Sequence, residues 1–369
     1  MRFVRPLSSH FAALLLIAVP PVAGASAGAG AGIDTARALA HAAPDATLRE
    51  ELLHDVAAFL ARRGDSAGAR SAAAQLPPGR QAMVLLELAA HLPDLRSNEA
   101  EQLALDAQTA KALTTDWRKA RVAHLLAVAY ARRGKFDAAI ALAHTVPDPE
   151  EKASALQAVV AHLNRAGEVA KARELAATIE ENRRYGTYRQ KAAALADTAQ
   201  TVHARGNPDD AATLLAQAEL LLPKKPGWSD GGAYRDVAVA AYRCGQKEKA
   251  FELLTRAEAL AQQIAGPWKV TELTRIAAAW RDCADVARAA ARLTEAAVFL
   301  KTLQPLERAE EALALAQGWA LAGESLDGKA QARALVTAVL AEADREGNPE
   351  TWRKPRVRAL LALAELSGK

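Results

Sequence analysis

Aromatic side chains make up only 5% of this 369-residue chain, and Cys244 and Cys283 are its only thiols. Few aromatics, and no clustering of Val and Ile into short alternating runs, favour helices over sheets. Charge of one sign is also scarce. The net charge of +4 is small for the length, so no nucleic acid is expected as a partner. There is no His-Glu-x-x-His pair, no phosphate-cradling Walker loop and no Gly-x-Ser-x-Gly elbow. The histidines show no metal spacing. His91 and His162 each stand five residues before a turn, which suits packing or surface placement. No histidine follows residue 203 to activate either cysteine. Acidic pairs such as Glu50-Glu51, Glu180-Glu181 and Glu310-Glu311 are adjacent on helices, so they do not face each other and are expected to be solvated. These absences predict no catalytic residue, no cofactor and no metal.

The N-terminus reads as a secretory signal over residues 1–27. Arg2 and Arg5 form a positive start, Phe11 to Val19 a short apolar core, and Ala23-Gly24-Ala25 and Ala25-Ser26-Ala27 two small-x-small cleavage sites. The apolar run is shorter than the roughly 20 residues a bilayer span needs, although an uncleaved anchor is the alternative. No second long apolar run follows, so no membrane span is expected after cleavage. Loss of Arg2 and Arg5 lowers the charge from +4 to +2. The expected destination is outside the cytoplasm, periplasmic or extracellular, in a bacterial source. Residues 28–32, Gly-Ala-Gly-Ala-Gly, read as a flexible leader, and 33–369 as one repeat domain.

What the chain has in abundance is a recurring phrase. Leu60-Ala61-Arg62-Arg63-Gly64-Asp65 returns as Tyr130-Ala131-Arg132-Arg133-Gly134-Lys135, and again around Gly167, Gly206, Gly245, Ala284 and Gly323. From Gly134 the spacings are 33, 39, 39, 39 and 39. Glycine ends a first helix because it accepts a left-handed backbone. Five residues on stands an alanine (Ala69, Ala139, Ala172, Ala211, Ala250, Ala289), which lets a second helix approach closely. Hairpins are predicted at about 46–77, 78–113, 115–147, 148–183, 185–223, 229–265, 267–303 and 305–346, after a short helix at about 33–42. A last helix at about 350–366 would cap the array. Pro223–Ser229 reads as a hinge or an ordinary long loop.

The third hairpin, with Leu126-Ala127, Tyr130, Gly134, Ala139 and Ala143, resembles the tetratricopeptide repeat. Its period is about 34 residues, against about 40–47 for HEAT arrays, and both are stacked helical hairpins. The resemblance implies an all-α, right-handed solenoid of about eight antiparallel hairpins. It also implies a protein or peptide ligand on the solenoid surface, and carries over no catalytic residue.

Aromatic and basic residues mark several first-helix starts: Trp117, Arg118, Lys119 and Arg121; Tyr188 and Arg189; Trp228; Trp268 and Lys269; Trp352, Arg353 and Lys354. Cations are unfavourable at helix N-termini. Either these residues form a binding edge with aromatic anchors, or each aromatic covers the adjoining loop. Cys244 and Cys283, 39 residues apart, occupy equivalent repeat positions. They are either bridged or two small buried thiols, since packed helices lie about 8–10 Å apart and a disulfide needs less than about 7 Å between Cα atoms. The function expected is that of an exported, noncatalytic scaffold or adaptor between proteins. The alternatives are a nucleic-acid-binding repeat protein and an enzyme whose site is dispersed over the repeats.

Overall fold

A computed structural model describes residues 27–91, 116–323, 327–346 and 348–367; for 27–29, 78–79, 89–91 and 116–119 it describes the helical backbone alone. The described residues form helices and no strand. In chain order these are α1 (Ala27–His41), α2 (Ala46–Arg62), α3 (Ser66–Ala73), α4 (Pro78–His91), α5 (Asp116–Arg132), α6 (Phe136–His144), α7 (Pro149–Ala166) and α8 (Val169–Thr178). There follow α9 (Tyr188–Ala204), α10 (Pro208–Leu221), α11 (Gly231–Arg243), α12 (Lys247–Ala261), α13 (Trp268–Asp282), α14 (Val286–Leu300), α15 (Pro305–Ala322), α16 (Gly328–Arg345) and α17 (Pro349–Ser367), with a 3-10 turn at Trp228–Asp230.

Local chemistry sets these boundaries. Asp45, Asp65, Asp148, Asn207 and Asp285 each accept a hydrogen bond from the backbone N–H three residues on, satisfying a donor that the first turn leaves orphaned. Gly64, Gly134, Gly167, Gly206 and Gly245 carry φ between 72° and 86° between first and second helix, and Ala284 carries φ 58° in the same place. The alanines at 69, 139, 172, 211 and 250 are fully buried and Ala289 nearly so. Each hairpin therefore closes on a methyl group.

Among the described residues the hairpin boundaries follow the glycine spacing, the second half of the hairpin expected at 78–113 lying outside them, but the ends of the chain do not stay apart. The nine first helices form an unbroken series in which α2 touches α4, α4 touches α5, and so on through α7, α9, α11, α13 and α15 to α17, which touches α2 again. The sequence predicts that the last helix caps an open end. Instead it pairs with α1 about as closely as a first helix pairs with its second. Val357, Leu361 and Ala364 of α17 share one buried cluster with Ala36 and Ala40 of α1 and Leu52, Leu53 and Val56 of α2. The ninth hairpin is thus assembled from the two termini, and the array is a closed ring. Residues 28–32, expected to be a leader, are helical because α1 begins at Ala27.

First helices face inward and second helices outward. Asp236 and Gln317, in the bodies of α11 and α15, are exposed although neighbours pack on both sides and a second helix stands behind. Their open side is the lumen. Nine helices about 9 Å apart make a circle about 26 Å across, and subtracting one helix diameter of about 11 Å leaves a channel about 15 Å wide.

Candidate functional site

Most of the aromatic and basic residues that begin the first helices are occupied within the ring. Tyr188 is buried, and its hydroxyl bonds Asp230 Oδ1. Burial and the Asp230 hydrogen bond push that phenol up to about 12. Arg189 donates to the carbonyls of Gly186 (3.2 Å) and Ser229 (2.9 Å). Lys269 reaches Gln262 Oε1 at 2.8 Å and lies over the Phe299 ring. Trp352 is buried. Arg353 donates to Leu39 O at 3.0 Å and also bonds Glu350. Lys354 pairs with Glu51 at 2.8 Å. Arg121 lies 3.4 Å from Glu151, which also takes His124 Nδ1 at 2.6 Å. Trp268 is half-buried, whereas Trp228 stays 57% exposed. The side chains of Trp117, Arg118 and Lys119 lie outside the described residues. Among the described residues, the cations that looked misplaced at helix starts are largely spent on acids and carbonyls of neighbouring helices, and these side chains form no continuous free ledge.

The two cysteines are free thiols. Each caps the C-terminus of a successive first helix, α11 and α13. Cys283 is buried, and burial followed by the nearby Asp282 pushes its thiol up to about 12. Burial also raises the Cys244 thiol. Neither has the lowered pKa that a reactive thiol needs.

Around the inner wall, polar side chains of the described residues bridge eight of the nine joints. Arg62–Glu87 (2.9 Å), His124–Glu151 (2.6 Å), Asn164–Asp197 (2.7 Å) and Arg243–Gln200 (2.8 Å) serve the first half. Arg235–Glu272 (3.3 Å), Thr271–Glu311 (2.7 Å), Lys354–Glu310 (3.9 Å) and Arg358–Asp55 (2.8 Å) serve the rest, the last of these closing the ring. Two of the acidic pairs expected to be solvated are therefore not so. Glu311 is buried beneath Thr271, and Glu51 takes both Lys354 and Arg358. Desolvation raises Glu311 to about 7, and also raises Asp197. Asp236 touches lumen water but is crowded by the surrounding wall, which raises its carboxyl too. Burial drives His162 down to about 3, with help from Arg165 and Arg132. It is a neutral packed histidine, in keeping with a packing role.

These groups are spread over successive joints, as hydrogen-bonded or ion pairs. They do not converge on one point as a nucleophile, base and oxyanion site would. Among the described residues no three His, Cys, Asp or Glu side chains could hold a metal ion, and no helix is long and apolar enough to cross a membrane. Besides the channel, the rim where chains enter the first helices is open to a ligand. There Tyr185 (43% exposed) and Trp228 stand on adjoining loops. The sequence signalled Trp228; Tyr185 stands three residues before Tyr188, which it also signalled.

No protein-family model matches the sequence, and no curated protein does. Solved structures do match, among them one of tetratricopeptide-like repeats. Nearly identical TPR-like repeats from a Podosopora anserina protein described as a kinesin light chain are 22% identical. The match covers 64% of this chain and 100% of that one, with a TM-score of 0.32. Ton1535 from Thermococcus onnurineus NA1 is 14% identical over 89% of this chain and 94% of its own, with a TM-score of 0.29. Yeast Tom70 is 14% identical over 86% of this chain and 89% of its own, with a TM-score of 0.25. At these scores the hairpin fold of the present chain rests on its own helix packing, and function must be argued from its own surfaces.

Proposed function

We propose that the protein is a noncatalytic scaffold of the cell envelope that holds another protein on a preformed ring. The observation carrying this reading is the closure itself. All seventeen described helices are consumed in one annulus, and polar side chains bridge eight of its nine joints. Such a body offers fixed surfaces and little freedom to lose on binding, which favours docking of a partner over chemistry on a substrate. Export rests on the signal-like residues 1–27 of the sequence. The buried residues that α1 gives to the ring, Ala36 and Ala40, lie well after both cleavage sites, so removal of the signal would leave the ring's core intact.

Two experiments test the two halves. Residues 1–40 fused to a phosphatase that folds only outside the cytoplasm should give an active reporter, and Leu14→Arg should silence it. A reporter inactive in both forms would rule out export. Cross-linked capture with residues 28–369 from envelope extract should return one reproducible protein, identified by mass spectrometry and rebuilt from purified components. Failure to rebuild a complex from any captured protein would sink the scaffold reading.

A further inference from the structure

Tyr185 and Trp228 are the two exposed aromatic side chains among the described residues, at 43% and 57%. They stand on successive loops at one rim of the ring, Tyr185 before α9 and Trp228 before α11. Arg189 ties the loops together, since Nε binds the carbonyl of Gly186 beside Tyr185 and Nη1 binds the carbonyl of Ser229 beside Trp228. Arg183 adds a second tie to the Leu221 carbonyl at 3.4 Å and stacks on Tyr188. The loops are pinned further by Asp230, whose Oδ2 accepts the Gly227 N–H at 2.7 Å, and by the Tyr234 hydroxyl, which bonds Pro223 O at 2.7 Å. The aromatics are therefore exposed on a braced support.

Three cations flank them. Arg184, Lys224 and Lys225 are exposed, and none has an acidic partner among the described residues. At several other helix starts the cations find acids or carbonyls, Arg353 on Leu39 O and Lys354 on Glu51 among them. Arg184 lies 5.7 Å from the Tyr185 ring centroid, leaving its other face open. The acids nearby are Asp230, buried and bonded, and Glu180 and Glu181, exposed at the beginning of the first loop. An unpaired cation beside an exposed aromatic is the composition of an interface hot spot.

We propose that this rim patch docks an extended acidic peptide segment of another protein, its apolar side chains seated on Tyr185 and Trp228 and its carboxylates on Arg184, Lys224 and Lys225. The inference rests on the scaffold reading and names the chemistry of the partner. Adjoining first helices are about 9 Å apart, a span of about three residues of extended chain. One strand laid along the rim can therefore reach both aromatics with side chains on alternating sides of its backbone. An anionic lipid surface fits less well. Three free cations fall short of the cluster of about four to eight that marks such binding, and Tyr185 already has a guanidinium against its ring.

The test is selection of a displayed random dodecapeptide library on immobilised residues 28–369. It runs in parallel on the Lys224→Glu, Lys225→Glu, Trp228→Ser triple variant and on a distant control, Lys329→Glu. All substitutions are at exposed positions, and unchanged circular dichroism and melting confirm folding. Peptides enriched on the unaltered chain should carry a net negative charge and at least one aromatic or aliphatic anchor. Synthetic copies should bind the triple variant about tenfold more weakly or worse, and the control equally. Raising salt from about 0.05 to 0.3 M should weaken them as screening requires. Enrichment without acidic bias, or binding that the triple variant retains, overturns the patch while leaving the scaffold reading to the capture experiment. Failure to enrich any peptide overturns it likewise. Sedimentation with phosphatidylglycerol vesicles that depends on Trp228, without peptide binding, would replace the peptide by a membrane.

Discussion

Ala284 stands where six other first helices end in glycine with positive φ, and it adopts φ 58° itself. The left-handed backbone costs an L-residue about 1–2 kcal/mol, against about 0.5–1 kcal/mol of extra chain entropy lost by glycine. Ala284→Gly should therefore raise stability by about 0.5–1 kcal/mol, read as a higher urea midpoint at unchanged slope. A lower midpoint would show that the turn is not strained. Glu311 offers a second test. Its carboxyl is raised to about 7 by burial, with Glu310 adding to the rise and Thr271 and Arg275 opposing it. Between pH 4.5 and 7 the folded chain therefore binds more protons at this site than the unfolded chain. The site favours folding at low pH and costs up to about 3 kcal/mol above about pH 7. Glu311→Gln keeps an acceptor for Thr271 and removes the titration. The variant should gain stability at about pH 8, gain little at about pH 4.5, and flatten the profile between. At Cys283 the raised thiol predicts slow reaction with a disulfide reagent at about pH 8 in the folded chain and fast reaction in urea, measured by absorbance.

At the scale of elements, the hairpins depend on alanines five residues past the turn. Ala211 on α10 is fully buried, so Ala211→Leu should overpack α9 against α10 and cost about 1–3 kcal/mol, again as a shifted urea midpoint. These elements were readable because turn and packing residues recur in phase: glycine closes a helix and alanine admits the next, each within a few residues of chain. The candidate site was less readable. Arg353 and Lys354 look like stray cations at a helix start, yet their partners are Leu39 and Glu51, more than 300 residues earlier. A charge shows in sequence, whereas its partner shows only once the ends have met. Glu310-Glu311 misled for the same reason, since the Thr271 that buries Glu311 comes from the helix one repeat back.

At the scale of the molecule, closure itself is the feature without a local signature. Curvature accumulates from small differences in side-chain size at every joint, and no single residue announces it. Its test lies at the seam. Val357 is fully buried between α17 and its neighbours α1 and α2. Val357→Asp should open the ring, seen as a larger radius of gyration by small-angle scattering and an earlier melting transition. Conversely, joining residue 369 to 28 through a short linker, with new ends between Ile264 and Ala265, should give a chain of unchanged helicity and near-native melting temperature. A permuted chain that fails to fold would count against the ring. Nine first helices sharing a full circle turn about 40° each. An open array can gain or lose a hairpin by duplication and remain an array. Here one more or one fewer would force every joint to a new angle at once, so repeat number is locked as firmly as any core residue, and descendants of this chain can vary their loops but not their count.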